Sequence, residues 1–506
     1  MFSNSLSATL ELQSFGLNQT LDWEFFAKPP LPGTHWLVLI DALDEVTAAD
    51  TRRRLMGMLA AQDRRKYRII VATRPTPEQD LTGLGEHTPR YTIEPFNPDD
   101  VDTMARSWFS VLQAGHDVDA ACTDFRIRLE RADLARLARL PLMAAMLCQI
   151  HSTYPEESLP HGRTAVFAKF VDLLTERYNT AGPGGLRAQI TTELDRYADR
   201  TVLEYTLRFL SQLPAHLCWL AAARQSGDLR AAETVLYERA DPPIGLDGQR
   251  LRDLIGSILR RTGLFTIRAR EYTFAHQTLQ EYLAARHALT SNTVTMNLER
   301  SLDLARAVQY GPRGWLEPSP QRTSYIAFLV NLAPDEADIS LAQLARQGGI
   351  RGCTYIAKIA AFGDPLPDVT LKLAATQLRG AAIDLQTINE RNAAARSLAQ
   401  FHDIRIADLM FDLIRHYSVE PRMQIAMAGE LAKIGDPRGN EALHKLARDQ
   451  TLGRSLMLMA TTILAEIRDP DSTDMWYARA KDSRLGEDRA EAIEELARLG
   501  DPGVNN

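Results

Sequence analysis

Three acidic residues, Asp41, Asp44 and Glu45, follow directly on an apolar run in the stretch THWLVLIDALDEV, residues 34 to 46. Carboxylates this close repel one another unless a cation lies among them. A hard cation such as Mg2+ suits them, because it prefers carboxylate oxygens and keeps part of its water shell. Asp41, first after the run, is the candidate metal residue. Asp44 and Glu45, one helical turn further on, are placed to organise the metal's shell and to position a water for attack on a terminal phosphate, and so are the candidate catalytic pair. The plainer use of the same residues is a solvated helix cap at a strand end. Arg74, in the stretch ATRP at 72 to 75, is a fourth candidate. It would point at a γ-phosphate and hold it by charge-assisted hydrogen bonds, although a strand-terminal arginine also serves as a surface salt-bridge partner.

Such chemistry requires the acids and the arginine at one sheet edge. Trp36 to Ile40 is a continuous apolar run of strand length, Thr47 to Gln62 has helical spacing, and Tyr67 to Ala72 reads as a second buried strand. Strand, helix and strand within about 35 residues make a βαβ unit with a parallel sheet. Ligands gather at the carboxyl ends of such strands. A third strand is expected at Tyr91 to Glu94, followed by a helix that Asn97 can cap, Pro98 can open, and Asp99 and Asp100 suit by charge. From Val101 onward the spacing is helical, broken most clearly at AGPGG, residues 181 to 185. Residues 251 to 289 give a helix closed by Gly263, a short hairpin (LFTIR and EYTFAH) and a helix from about Gln277, the order of a winged helix.

The C-terminal part repeats itself. LAQFHD ends at Asp403, LAKIGD at Asp436, LAEIRD at Asp469 and LARLGD at Asp501, spacings of 33, 33 and 32, with IAAFGD ending at Asp364 as a more distant copy. A period near 33 with helical spacing means stacked helix pairs, a HEAT-type α-solenoid over 320–506. Its Leu-Ala pair should face the neighbouring helix, and its Asp should end one pair and cap the next. The expected organisation is an irregular segment (1–34), a partial α/β core (35–115), a helical domain (116–245), a winged-helix region (246–290), a linker (291–319) and the repeats. The fold class is therefore α/β, then all-α.

Composition narrows the function. With 506 residues, 45% apolar and 24% charged, the chain is an ordinary multidomain soluble type. Its net charge of −7 disfavours a nucleic-acid coat. The four cysteines, Cys122, Cys148, Cys218 and Cys353, have no metal or disulfide spacing and read as buried thiols of a reducing compartment. No bilayer-length apolar stretch or signal sequence is found, so the expectation is a cytoplasmic protein without a membrane partner.

Five stretches, LVLIDALDEV (37–46), IIVATRP (69–75), YTIEPFNPDDV (91–101), LARLPLMAAMLCQIH (137–151) and FAHQTLQEYLAAR (274–286), together resemble the NACHT family of STAND nucleotide-dependent switches, over about 35–290. The resemblance implies a P-loop-NTPase sheet, ATP or ADP with Mg2+ as cofactors, and a homo-oligomer on activation. Residue by residue, it implies Asp41 as the Walker B magnesium residue, Asp44 and Glu45 as the neighbouring acids of that motif, and Arg74 as the sensor arginine. It further implies Pro141 packing on adenine and His276 touching the ADP phosphate in the resting state. The bland alternatives are that Pro141 opens an apolar helix and His276 merely caps one.

The family's phosphate-holding Walker A loop, GxxxxGK[ST], is missing from this sequence. Truncation is the expectation, with degeneracy as the alternative, and ATP should be bound weakly and hydrolysed little or not at all. Three functions are compatible with these features: a signalling switch for defence or regulation whose repeats sense a protein partner or trigger, a non-catalytic repeat scaffold, and a DNA-binding regulator. The last is disfavoured by the acidic balance, despite Arg250, Arg252, Arg260, Arg261, Arg268 and Arg270.

Overall fold

The computed structural model describes residues 23–41, 43, 49–63, 65–73, 88–112, 117–179, 188, 200–242, 247–268, 271–307, 320–449, 451–467 and 469–481, which are mostly helical with two small sheets. Two compact units are formed, one from Met1–Asp99, Leu174–His216 and Gly227–Leu279, the other from Asp100–Leu173, Leu217–Ser226 and Gln280–Asn506.

In the first unit, strand β1 (Trp36–Ile40) pairs in parallel with β2 (Tyr67–Val71), in register from Trp36 against Tyr67 to Ile40 against Val71, and helix Ala49–Ala60 makes the crossover. Leu43, Met56, Leu59 and Tyr67 form the buried centre, with Trp36, Val38, Ile40, Ile69 and Val71 packed against it. Alternate side chains of a strand point to opposite faces. Here the other face is open: Leu37 is 60% exposed, Leu39 68% and Ile70 57%. This corrects the expectation of strands buried on both sides, because among the described residues one helix covers one face. The third strand expected at Tyr91 to Glu94 is not formed either. Residues 91–97 carry no regular element, and Tyr91 and Ile93 are 91% and 92% exposed. An apolar alternation becomes a strand only where a neighbouring edge supplies ladder hydrogen bonds.

The same unit holds the first helix and the hairpin of the helix–hairpin–helix segment, up to Leu279. Asp247 caps helix Gly248–Arg261 by accepting from the amides of Gln249 and Arg250. At the other end the Thr262 hydroxyl donates to the Leu259 carbonyl at 2.6 Å, and Gly263 takes φ +72, the left-handed turn that frees the chain to reverse. Strands β3 (Phe265–Arg268) and β4 (Glu271–Phe274) then pair antiparallel, with the rings of Phe265 and Phe274 4.4 Å apart. Gly256 is required where the hairpin lies on the helix, since a Cβ there would meet the Tyr272 ring at 2.7 Å.

In the second unit, consecutive helices from Pro334–Ala360 to Ser472–Lys481 pack on one another, and several also pack on the next but one, as Ile388–Ala399 does on Pro421–Lys433. Leu398, Leu431 and Leu464 are fully buried. The carbonyls of the last two help to close their helices: Asp436 N–H donates to Leu431 O at 3.1 Å and Asp469 N–H to Leu464 O at 2.9 Å. Repeat-end aspartates also begin the next element. Asp403, Asp436 and Asp469 each accept from the backbone amide two residues on, Arg405, Arg438 and Asp471, at 2.9, 3.0 and 3.0 Å. Among the described residues no helix is long and apolar enough to cross a membrane.

Candidate functional site

Leu43 explains the local geometry of the acidic segment. Its side chain is 2% exposed in the core and its amide donates to the Ala72 carbonyl at 3.3 Å, while Ala72 N–H donates to Ile40 O at 2.7 Å. These bonds tie the exits of β1 and β2 together. Asp41, between the strand and Leu43, is exposed at the carboxyl edge of the sheet, where β2 also ends in Ala72 and Thr73. Asp44, Glu45 and Arg74 lie outside the described residues.

His276 comes after β4 and is exposed, and its carbonyl accepts from Leu279 N–H at 3.1 Å, so it occupies the entrance to helix Gln277–Thr290. Phe274 and Leu279 around it are buried. Pro141 is the first residue of helix Pro141–Thr153, after Leu140 in extended conformation, and is exposed while Met143, Met146 and Leu147 behind it are buried. Asp41 and His276 belong to the first unit, Pro141 to the second.

Asp41 fits one part of the expected cofactor. An exposed carboxylate at a parallel sheet's carboxyl edge can take Mg2+ through water. The phosphate cradle is another matter, for the sequence contains no glycine-rich GxxxxGK[ST] loop.

With helix, hairpin and helix in place, comparison with known families becomes decisive for this segment. Residues 163–288 match the family model of the winged helix-turn-helix domain C-terminal to NACHT. That match supports a NACHT-associated protein. No curated protein and no solved structure matches the chain. The matched region begins at Arg163, well upstream of the helix–hairpin–helix read from the sequence, and Arg163 opens a buried polar cluster that sequence reasoning missed.

Arg163 is 5% exposed; its guanidinium donates to Ser324 Oγ at 2.7 Å and lies 4.0 Å from the Phe328 ring centre and 4.7 Å from that of Phe362. Burial pulls it down to about 10, against the nearby negative charges of Asp364 and Glu281. Asp364, 7% exposed, accepts from both the amide and the hydroxyl of Thr164 at 2.8 Å. Burial raises its carboxyl, and those two bonds oppose the rise. Glu281, from the QEY stretch, is fully buried. Charged residues rarely go inside unless paired, and the glutamate between Gln280 and Tyr282 was the available signal.

Three of the four cysteines lie in the interior. Cys148, Cys218 and Cys353 are buried and free, and burial raises their thiols to about 12, 11 and 12, so they are poor nucleophiles at neutral pH.

Proposed function

We propose that the chain is part of a nucleotide-dependent switch of NACHT/STAND type, acting in bacterial defence or regulation. The observation that carries this reading is the match of residues 163–288 to the domain that lies C-terminal to NACHT, downstream of a parallel strand pair whose edge presents Asp41. In this reading Asp41 holds Mg2+, with Asp44 and Glu45 ordering its water, Arg74 and His276 contacting phosphate, and Pro141 lying against adenine. The metal would neutralise charge on the terminal phosphates. The residues of this chain bind and orient the nucleotide, with His276 at a helix entrance and Asp41 at the carboxyl edge of the sheet. The period-33 repeats form a HEAT-like solenoid that receives a protein trigger, and exchange of ADP for ATP permits homo-oligomerisation.

The missing Walker A sequence favours a second reading, a repeat scaffold that binds a protein partner without nucleotide. Titration of a fluorescent ADP analogue into the full chain with Mg2+ separates the two. Weak binding is expected, weaker by at least about tenfold in Asp41→Asn and His276→Ala, the scale of a lost charged hydrogen bond, with negligible ATP turnover. ADP binding indifferent to both substitutions, or no binding at all, overturns the switch in favour of the scaffold.

A further inference from the structure

The repeat ends at Asp403, Asp436 and Asp469 differ two residues after the aspartate, and the difference is chemical. Two residues after Asp403 stands Arg405, whose guanidinium pairs with both Asp403 and Asp368 at 2.5 Å and so ties its own repeat to the preceding one. Two residues after Asp436 stands Arg438, pairing with Asp436 at 2.7 Å and with Asp408 at 2.8 Å, and lying 4.9 Å from the ring centre of Phe411. Two residues after Asp469 stands Asp471, an acid where the Asp403 and Asp436 copies carry a cation and the more distant Asp364 copy carries Leu366. The aromatic partner changes with it: His444 comes eight residues after Asp436, as Phe411 comes eight after Asp403. An arginine over a phenylalanine has become an aspartate beside a histidine.

The resulting group has the composition and spacing of metal ligands. His444 Nε2 lies 3.1 Å from Asp469 Oδ1, and one ligand atom each from His444, Asp469 and Asp471 lie within 4.8 Å of one another. Two ligands about 2.0–2.1 Å from a tetrahedral zinc stand about 3.3 Å apart, so His444 and Asp469 need almost no movement. The Asp469 side chain is 6% exposed and that of His444 19%, while Asp471 is exposed and leaves an open side for water. Asn440 Nδ2 donates to Asp469 Oδ2 at 3.1 Å and fixes the carboxylate's orientation, the support that metal-binding carboxylates usually have. Among the described residues no guanidinium pairs with Asp469 or Asp471, in contrast to Asp403 and Asp436, which pair with Arg405 and Arg438.

We propose that His444, Asp469 and Asp471 bind a divalent first-row metal ion, zinc in class, which takes over the inter-repeat clamp that Arg405 and Arg438 provide in the earlier copies. One imidazole with two carboxylates suits such an ion better than Mg2+ or Ca2+, which favour all-oxygen sites. The ion joins helix Pro437–Arg448 to the start of Ser472–Lys481.

The test is calorimetric titration of the chelator-stripped full chain with ZnCl2, beside thermal unfolding with and without Zn2+. One site is expected whose affinity falls at least about tenfold in His444→Ala and in Asp471→Arg, with a large excess of Mg2+ failing to displace the ion. Asp471→Arg restores the residue of the sister repeats, so its circular dichroism and its melting without zinc should match or exceed wild type. Should His444→Ala misfold, Asp471→Asn on the exposed residue gives the same answer. Other histidines and the thiols can also take up zinc, so the difference between wild type and variants is the readout. Equal zinc binding and equal zinc stabilisation in wild type and Asp471→Arg overturn the proposal, as does a wild type that takes up no zinc.

Discussion

The sheet region at 36–71 and the repeat region at 334–466 solve the same problem with different success. Each begins with apolar side chains that must leave water. In the repeats, an element's neighbours in sequence are also its neighbours in space, so Leu398, Leu431 and Leu464 are buried by the helices on either side. In the sheet, a strand has two faces and one crossover helix covers one of them, leaving Leu37, Leu39 and Ile70 largely in solvent. Quasi-linear stacking completes a core from local pieces, whereas a parallel sheet needs partners brought from a distance.

That contrast is sharpest for buried leucine. Leu431→Ala should lower unfolding stability by about 2–5 kcal/mol, the cost of a core Leu-to-Ala cavity, read as a fall in the urea midpoint of the repeat transition. A smaller effect is expected from the ionic pairs of Glu430, one to His402 of the preceding repeat and one to Lys433 of its own helix. Burial pushes the Glu430 carboxyl up, but His402 at 2.7 Å and Lys433 at 3.0 Å outweigh it and hold it down to about 2. A depressed carboxylate stabilises the fold above its unfolded value, about 4.3, and that stabilisation is lost as pH falls through about 2. The sum is of the order of 2–3 kcal/mol, and Glu430→Gln should flatten the decline of the melting temperature across that window. If the variant declines as wild type does, the ties between repeats are ornamental and packing alone holds them. Smallest of all should be Leu39→Ser on the open sheet face, within about 0.5 kcal/mol of wild type. A loss as large as that of Leu431→Ala would show that this face is covered in solution and break the contrast.

Legibility in the sequence divided along the same line. The helix–hairpin–helix at 248–290 could be read because its punctuation is local: Asp247 caps, Gly263 reverses the chain, and the apolar residues Phe265 and Phe274 fall opposite one another. The capping aspartates of the repeats were legible for the same reason. The third strand was misread because YTIE alternates correctly whether or not an edge exists for it to join. Of the candidate nucleotide residues, Asp41 could be placed at a strand's end from the apolar run alone. The tie from Leu43 to Ala72 beside it depends on how two strands register, which no short window encodes.

By itself the sequence determined periods, caps and turns, together with the acidic strand end and the five ordered stretches that resemble NACHT proteins, since each of these is written within a few consecutive residues. Only the tertiary structure decided which face of β1 is covered. It also brought Thr164 against Asp364, 200 residues apart, and set His444 beside Asp469 and Asp471, because burial and electrostatic pairing depend on distances in space that the order of residues along the chain does not fix.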